Sequence, residues 1–398
     1  MPNIPTYTQP AANDANTDDP ATSAPDAQSA SRANPPVRIE GHALVFFAFD
    51  IGFQVDLDAA EPLVREATRR RVVRARRPAP VWFDYSPPPL RLLVEGETVE
   101  VAGLQTDPAA EILIYDFGAA LLTYRLPLPP DLAELPRLGT SLYSHAGLEA
   151  DARLRVARVL DAIRPVVERP RLAEAVEDYA VFAITSWGDN SPPDILETHR
   201  AVIAQAIEAE RVTLSKAQIL RATDATMTYA ESDLAVIDWN AAVLFDAEPD
   251  DVISVLQHAN IELLELRVLD HELDAILDHA DETLAALTSS RFWPAFASSG
   301  MLRRFASVQT DAAVMFEGVN NAIKLLGNQY LARLYRVAAT RLDLPAWQAS
   351  VQRKLEATES LYQKMSDSTS TKRLEVLEWV IIILITVSIV LPFTPWYH

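Results

Sequence analysis

No cysteine occurs among the 398 residues, which removes disulfides, thiolate nucleophiles and Cys-ligated zinc together and suits a reducing compartment. Glycine is scarce, with 11 residues in all, so little material exists for phosphate-cradling loops. No P-loop, dinucleotide fingerprint, Gly-x-Ser-x-Gly elbow or His-Glu-x-x-His helix is present. Positive charge is in deficit: 35 Lys and Arg against 55 Asp and Glu give a net charge of -20, which argues against generic adhesion to nucleic acid or anionic lipid. The first residues, MPNIPTYTQPAANDANTDD, have neither a basic start nor an apolar core, so no N-terminal targeting signal is expected. Long uncharged apolar runs are missing as well, except at the C-terminus.

That exception is WVIIILITVSIVLPFTPWY, Trp379 to Tyr397. Read as a helix it would reach about 28 Å, enough for a thin bilayer, with interfacial aromatics at both ends. Its strictly apolar core, Trp379 to Leu391, is short of the roughly 20 residues a span asks for, and Pro392 and Pro395 dilute its end. Lys372 and Arg373 before it favour a cytoplasmic N-terminal side. The expectation is a single-pass tail anchor over 373–398, with the bulk of the chain in the cytoplasm at a bacterial cytoplasmic membrane. A buried C-terminal helix or strand is the alternative.

What precedes the run is ordinary in composition, 49% hydrophobic and 23% charged, and its length suggests two folded units. Residues 1–36, rich in Ala, Pro, Asn, Asp, Thr and Ser, cannot repay the entropy of ordering and read as a disordered tail. A first α+β module with trailing helices is expected over 37–175. Its strands are ALVFFAF, LRLLVEG, AEILIYDF and AALLTYRLPL, its helix AAEPLVREATRRR, and Asp116-Phe117-Gly118 makes a tight hairpin. A second α+β module over 176–248 repeats the order: AVFAITSW, then the helix ILETHRAVIAQAIEAE capped by Asp194 or a neighbour, then ATMTYAES and LAVIDWNAAVLF. A duplicated strand-helix-strand-strand module would give this recurrence, as would chance.

From 249 to 372 the pattern is helical. Leu256, Leu263, Asp270, Leu277 and Leu284 recur every seventh residue, as do Ala259, Leu266, Leu273, Ala280 and Leu287. Val351, Leu355, Thr358, Tyr362 and Met365 repeat at four and three spacing. A coiled-coil stalk that pairs within the chain or makes a homo-oligomer is expected. Asp270 stands in the seam, where a carboxylate needs a partner such as Arg267 or a residue of an opposing helix. Asn260 and Glu262 share this helix, tying its start to Asp238, Trp239 and Asn240; these seven residues form the candidate polar cluster. His258, Glu262 and Glu265, with His271, Asp274 and Asp278 further on, offer carboxylates and imidazoles on one face, though no metal or cofactor is assigned. Against the acidic background stands VREATRRRVVRARRP, where Arg65, Arg69, Arg70, Arg71, Arg74, Arg76 and Arg77 offer a site for an acidic partner, whether RNA, lipid or protein.

Several stretches taken together, LAVIDWNAAVLFD, HANIELLELRVLDHELDAILD, LDLPAWQASVQRKLEATESLYQKM and KRLEVLEWVIIILI, and more loosely AEILIYDFGAALLTYRLP and DYAVFAITSWGD, resemble the membrane-anchored family named for "required for meiotic nuclear division" (Rmd/Sif). That resemblance implies a domain of unknown chemistry, a helical C-terminal half and a terminal span; its mitochondrial members are thought to hold ribosomes at a membrane. The sequence thus points to an α+β head, a helical stalk and a transmembrane helix, acting as a non-enzymatic adaptor that scaffolds a protein assembly. Two alternatives stand beside it: an RNA- or ribosome-tethering protein using 65–77, and a metal-dependent hydrolase using carboxylates of the 250–287 helix.

Overall fold

The apolar runs pair into one eight-stranded sheet, described here from a computed structural model. The structure describes residues 36–67, 87–143, 145–289 and 329–361, together with 363, 381, 382 and 384. The strands are β1 (Glu40–Asp50), β2 (Gln54–Val55), β3 (Leu90–Glu95), β4 (Glu100–Val101), β5 (Leu104–Gln105), β6 (Ala109–Ile114), β7 (Ala119–Pro127), β8 (Val167–Glu168), β9 (Val176–Ser186), β10 (Thr226–Met227), β11 (Leu234–Ile237) and β12 (Ala241–Phe245). The helices are α1 (Leu57–Ala67), α2 (Leu135–Leu142), α3 (Ala146–Ile163), α4 (Pro192–Ile207), α5 (Lys216–Ala222), α6 (Asp250–Ser289) and α7 (Gln329–Arg341), and a further helix covers 344–361.

The sheet order is β10-β11-β12-β9-β1-β7-β6-β3, while β2-β8 and β4-β5 form small two-stranded ribbons. Its centre is the long antiparallel pair β1 and β9, with Val45 opposite Ala180 and Phe46 opposite Tyr179. Over Phe46–Asp50 of β1 and Val181–Ile184 of β9 both faces are buried, which is why ALVFFAF reads as a continuous apolar run rather than an alternation. Each α+β pass contributes one half of this sheet, and the halves differ in direction. β1 runs antiparallel to β7, but β9 runs parallel to β12, the latter connection crossing over through α4 and α5 as parallel pairing requires.

Ser191 caps α4 by accepting from the Asp194 N–H at 3.3 Å, with Pro192 at the first helical position, where its missing N–H is no loss. The β6–β7 hairpin closes through Tyr115 N to Ala119 O at 2.9 Å, with Gly118 at φ +91°. A side chain at Gly118 would strike the Gly52 carbonyl, so this hairpin and the loop after β1 lock together; Ile51 N donates to Gly118 O at 2.8 Å.

Helices α1 to α5 cover one face through Phe47, Phe49, Leu122, Phe182 and Val243. The other face carries α6, α7 and the 344–361 helix against Phe46, Ala48, Leu121, Val181 and Leu244. The seam residues Leu256, Ala259, Leu266 and Leu273 are buried within the chain, so over this stretch α6 is a sheet-covering helix sandwiched between layers and not a free-standing stalk. A helix enclosed on most sides shows apolar residues at the same spacings as a coiled coil.

The transmembrane element of the expected architecture finds no support and is withdrawn. Among the described residues no helix is long and apolar enough to cross a membrane, so the expected tail anchor and its placement at a bacterial cytoplasmic membrane are not supported. The run from Trp379 has an apolar core shorter than a bilayer demands and two prolines behind it. Apart from Ile381, Ile382 and Leu384, residues 379–397 lie outside the described residues. The supported architecture is an α+β head built on one large mixed sheet, followed by helices.

Candidate functional site

The structure disperses the seven-residue polar cluster. At 100° per residue the α6 positions point to different neighbours. Glu262 faces the C-terminal helices, accepting from Tyr335 Oη at 2.5 Å and Gln348 Nε2 at 2.9 Å. Arg267 pairs with Glu177 of β9 and lies over the Trp347 ring at 5.8 Å. Asp270 has the opposing-helix partner its seam position asks for: Lys354 Nζ lies 2.8 Å from its Oδ1 and also 2.6 Å from Asp274, while Ser350 Oγ donates at 2.8 Å. Asn260 is buried and neither side-chain atom has a hydrogen-bond partner among the described residues. Of the Arg-rich segment only Arg65 is described with its side chain, exposed and paired to Glu61 at 2.5 Å; Arg69, Arg70, Arg71, Arg74, Arg76 and Arg77 lie outside the described residues.

A charge network unforeseen in the sequence, centred on the buried Asp50, lies where β1 ends against α6. Asp50 accepts from Arg171 Nη2 at 2.5 Å and from the Gly52 N–H at 3.0 Å, and Arg171 Nη1 reaches Glu272 at 2.5 Å. Burial nonetheless holds the Asp50 carboxyl above the ordinary range, outweighing the guanidinium. Glu265 is buried beside it, with Oε1 lacking a hydrogen-bond partner. Its pKa is pushed well up, first by burial and then by the Asp50 charge. Burial lowers His258 to about 4, so it is neutral at physiological pH. Among the described residues no group of three or more His, Asp or Glu is placed to hold a metal ion.

Asp238, Trp239 and Asn240 form the β11–β12 turn. Asp238 is buried; burial and the Glu208 carboxylate raise its pKa to about 6 against the Trp239 N–H. Its carbonyl accepts from Tyr179 Oη at 2.8 Å, and Arg341 Nη1 of α7 lies 3.8 Å from its Oδ1. Asn240 Nδ2 donates to Ile207 O at 3.4 Å. The turn is therefore held from β9, α4 and α7, and the one large side chain it leaves outside is Trp239, 51% exposed. Tyr143, just past α2 and 49% exposed, meets it edge to face, with 6.4 Å between ring centroids and planes at 84°. A narrow cleft runs beside this corner, lined among others by Leu142, Tyr143, Asp178, Tyr179 and Asn240.

The family model described as "Uncharacterized protein MJ0711, N-terminal domain" matches residues 40–251, more than half of the chain. The chain belongs to this family. A relative is the "Uncharacterized protein MJ0711" of Methanocaldococcus jannaschii, 19% identical over 218 residues, 54% of this chain and 66% of that protein. The match thus spans just under two thirds of that relative's length. No solved structure matches. The MJ0711 N-terminal domain corresponds to the whole eight-stranded sheet, helices α1 to α5 and the first two residues of α6, and so includes Tyr143, Asp178 and Trp239. It replaces the Rmd/Sif resemblance, which the comparisons do not support. The stretches that carried that resemblance are apolar strands and amphipathic helices in common order, and three of them, 258–278, 342–365 and 372–385, fall outside the MJ0711 match.

Proposed function

We propose that this protein is a non-enzymatic adaptor whose head holds a protein assembly. The observation that carries this reading is the aromatic corner: a Trp and a Tyr, each about half exposed, the Trp on a turn held from three surrounding elements and the Tyr at the C-cap of α2. Exposed Trp and Tyr on rigid backbone are the residue types that dominate binding energy at protein interfaces, because they offer large contact area at low entropic cost. Of the carboxylates that a hydrolase reading would use, Glu262 is engaged by Tyr335 and Gln348, and Asp270 and Asp274 by Lys354, while Glu265 is enclosed in the core.

The reading is tested by placing a photo-crosslinking amino acid at Tyr143 in the full chain, in its own cells, with Glu197 as an exposed control on α4. A defined protein crosslink from position 143, absent from position 197 and lost on Trp239→Ala, is expected. Equal, diffuse crosslinking from both positions would overturn the reading, and crosslinks to RNA-bound proteins that vanish at high salt would transfer it to the Arg-rich segment.

A further inference from the structure

The charge beside the aromatic corner sets what it can bind. Asp178 lies in the cleft next to Tyr143 and is solvent-exposed at its rim. Among the described residues its carboxylate has no ion-pair partner. Arg153 of the neighbouring helix α3 is spoken for: it lies 3.6 Å from Glu149, donates to Ala173 O at 2.6 Å and to Glu174 O at 2.8 Å, and stacks over Phe49 at 5.2 Å. Crowding on its flank and the Glu149 charge both push the Asp178 pKa upward, as expected of a carboxylate short of a counter-charge.

An apolar partner seated on this corner would strip water from Asp178 and leave a charge unpaired, and an acidic partner would add repulsion. A cation gains twice, from the negative faces of Trp239 and Tyr143 and from the carboxylate. The net charge of -20 further steers basic partners inward and keeps acidic ones away. We infer that the Tyr143–Trp239–Asp178 corner receives a Lys or Arg side chain from a basic segment of a partner protein. This rests on the adaptor reading and names the chemistry of its partner.

The test uses the purified full chain and two labelled, acetylated peptides, one of alternating Lys and Ala and one of alternating Glu and Ala, with anisotropy read at low and at physiological salt. The Lys peptide binds and the Glu peptide does not. Trp239→Ala weakens binding about 2- to 30-fold, the range of a partly desolvated cation–π contact; Trp239→Phe restores part of it, and Asp178→Asn weakens it comparably. All three variants keep the wild-type circular dichroism and melting temperature. A loss from Glu197→Gln equal to that from Asp178→Asn, with none from Trp239→Ala, would show diffuse attraction to an acidic surface and overturn the assignment. Competition by free methylammonium as tight as the peptide would place the ligand among small amines and overturn it too. If the peptide fails while the crosslink from position 143 persists, the cationic assignment falls and the adaptor reading stands; if both fail, both fall.

Discussion

Helices α1 to α5 meet the sheet through Phe47, Phe49, Leu122 and Phe182, whereas α6, between the opposite face and the C-terminal helices, has Gln257, His258, Asn260, Glu262 and Glu265 buried among its leucines. The first face does bury one guanidinium, Arg155, but every direction of it is answered. It donates to Asp151 at 2.7 Å, Val94 O at 3.1 Å and Glu97 O at 2.7 Å, and lies over Tyr124 at 5.4 Å. On the α6 face the accounting is incomplete, with both side-chain atoms of Asn260 and Oε1 of Glu265 lacking partners among the described residues. The first face is fixed chiefly by packing, with His199 of α4, its pKa lowered by burial, as a buried titratable group. Attachment of α6 is fixed by packing minus the cost of polar groups that burial strains, so it is the softer joint and the one that protons move.

The largest expected effect tests the apolar face. Phe182→Ala removes a fully buried ring and should cost about 3–5 kcal/mol, equally near pH 5 and near pH 8 in urea denaturation. Arg171→Ala comes next and should behave differently. It leaves Asp50 buried without its cation; losing one partner of a buried pair costs about 3–5 kcal/mol, and the partial exposure of Arg171 puts this case at about 3. The cost shrinks as the pH falls and Asp50 takes up a proton. A pH-independent loss from Arg171→Ala would mean that the guanidinium serves by packing alone, and the contrast between the faces would collapse.

The longer strands of the large sheet were legible because each is an apolar run bounded by turns, whereas the two-residue strands β2, β4, β5 and β8 carry no such signal; ALVFFAF and LAVIDWNAAVLF sit within or around β1, β11 and β12. Sheet order was not, because the central β1–β9 pairing joins segments far apart in the chain, and no local pattern encodes which edges meet. The α6 period was legible and its partner was not. A heptad repeat says that a helix is covered, not by what, and here the cover is the sheet and the C-terminal helices. Asp270 shows how far the reasoning reached: its need for a cation followed from its seam position, and Lys354 supplies it. Neighbours on a helix are not neighbours in a site, which is why Asn260, Glu262, Arg267 and Asp270 parted. The aromatic corner left half a signal, since Trp239 stands in a polar turn while nothing local singles out Tyr143.

A smaller effect separates proton-linked cost from packing on the edge of the same soft joint. Asp238 titrates at about 6 in the folded chain, above its unfolded value, so its contribution is fully present below about pH 4 and lost as the pH rises through 6. The wild type should lose on the order of 2–3 kcal/mol across that window, and Asp238→Asn should flatten the loss. A slope unchanged in the variant would assign it to other carboxylates.

The smallest effect belongs to Glu265, where two opposing terms meet. Its raised pKa gives the same sign: the neutral carboxyl is favoured in the folded chain, so stability is greatest at low pH and declines once the unfolded chain begins to ionise. Glu265→Gln removes the ionisation and should therefore equal or trail the wild type near pH 4 and surpass it near pH 8. The gain should be only about 1 kcal/mol, because the amide brings N–H donors into a space where Oε1 already lacks a partner. Melting curves at the two pH values read the crossing directly. If the variant is less stable at both, Glu265 is ionised and bound to a cation in the folded protein, and the α6 face is held by charge pairing as complete as that around Arg155.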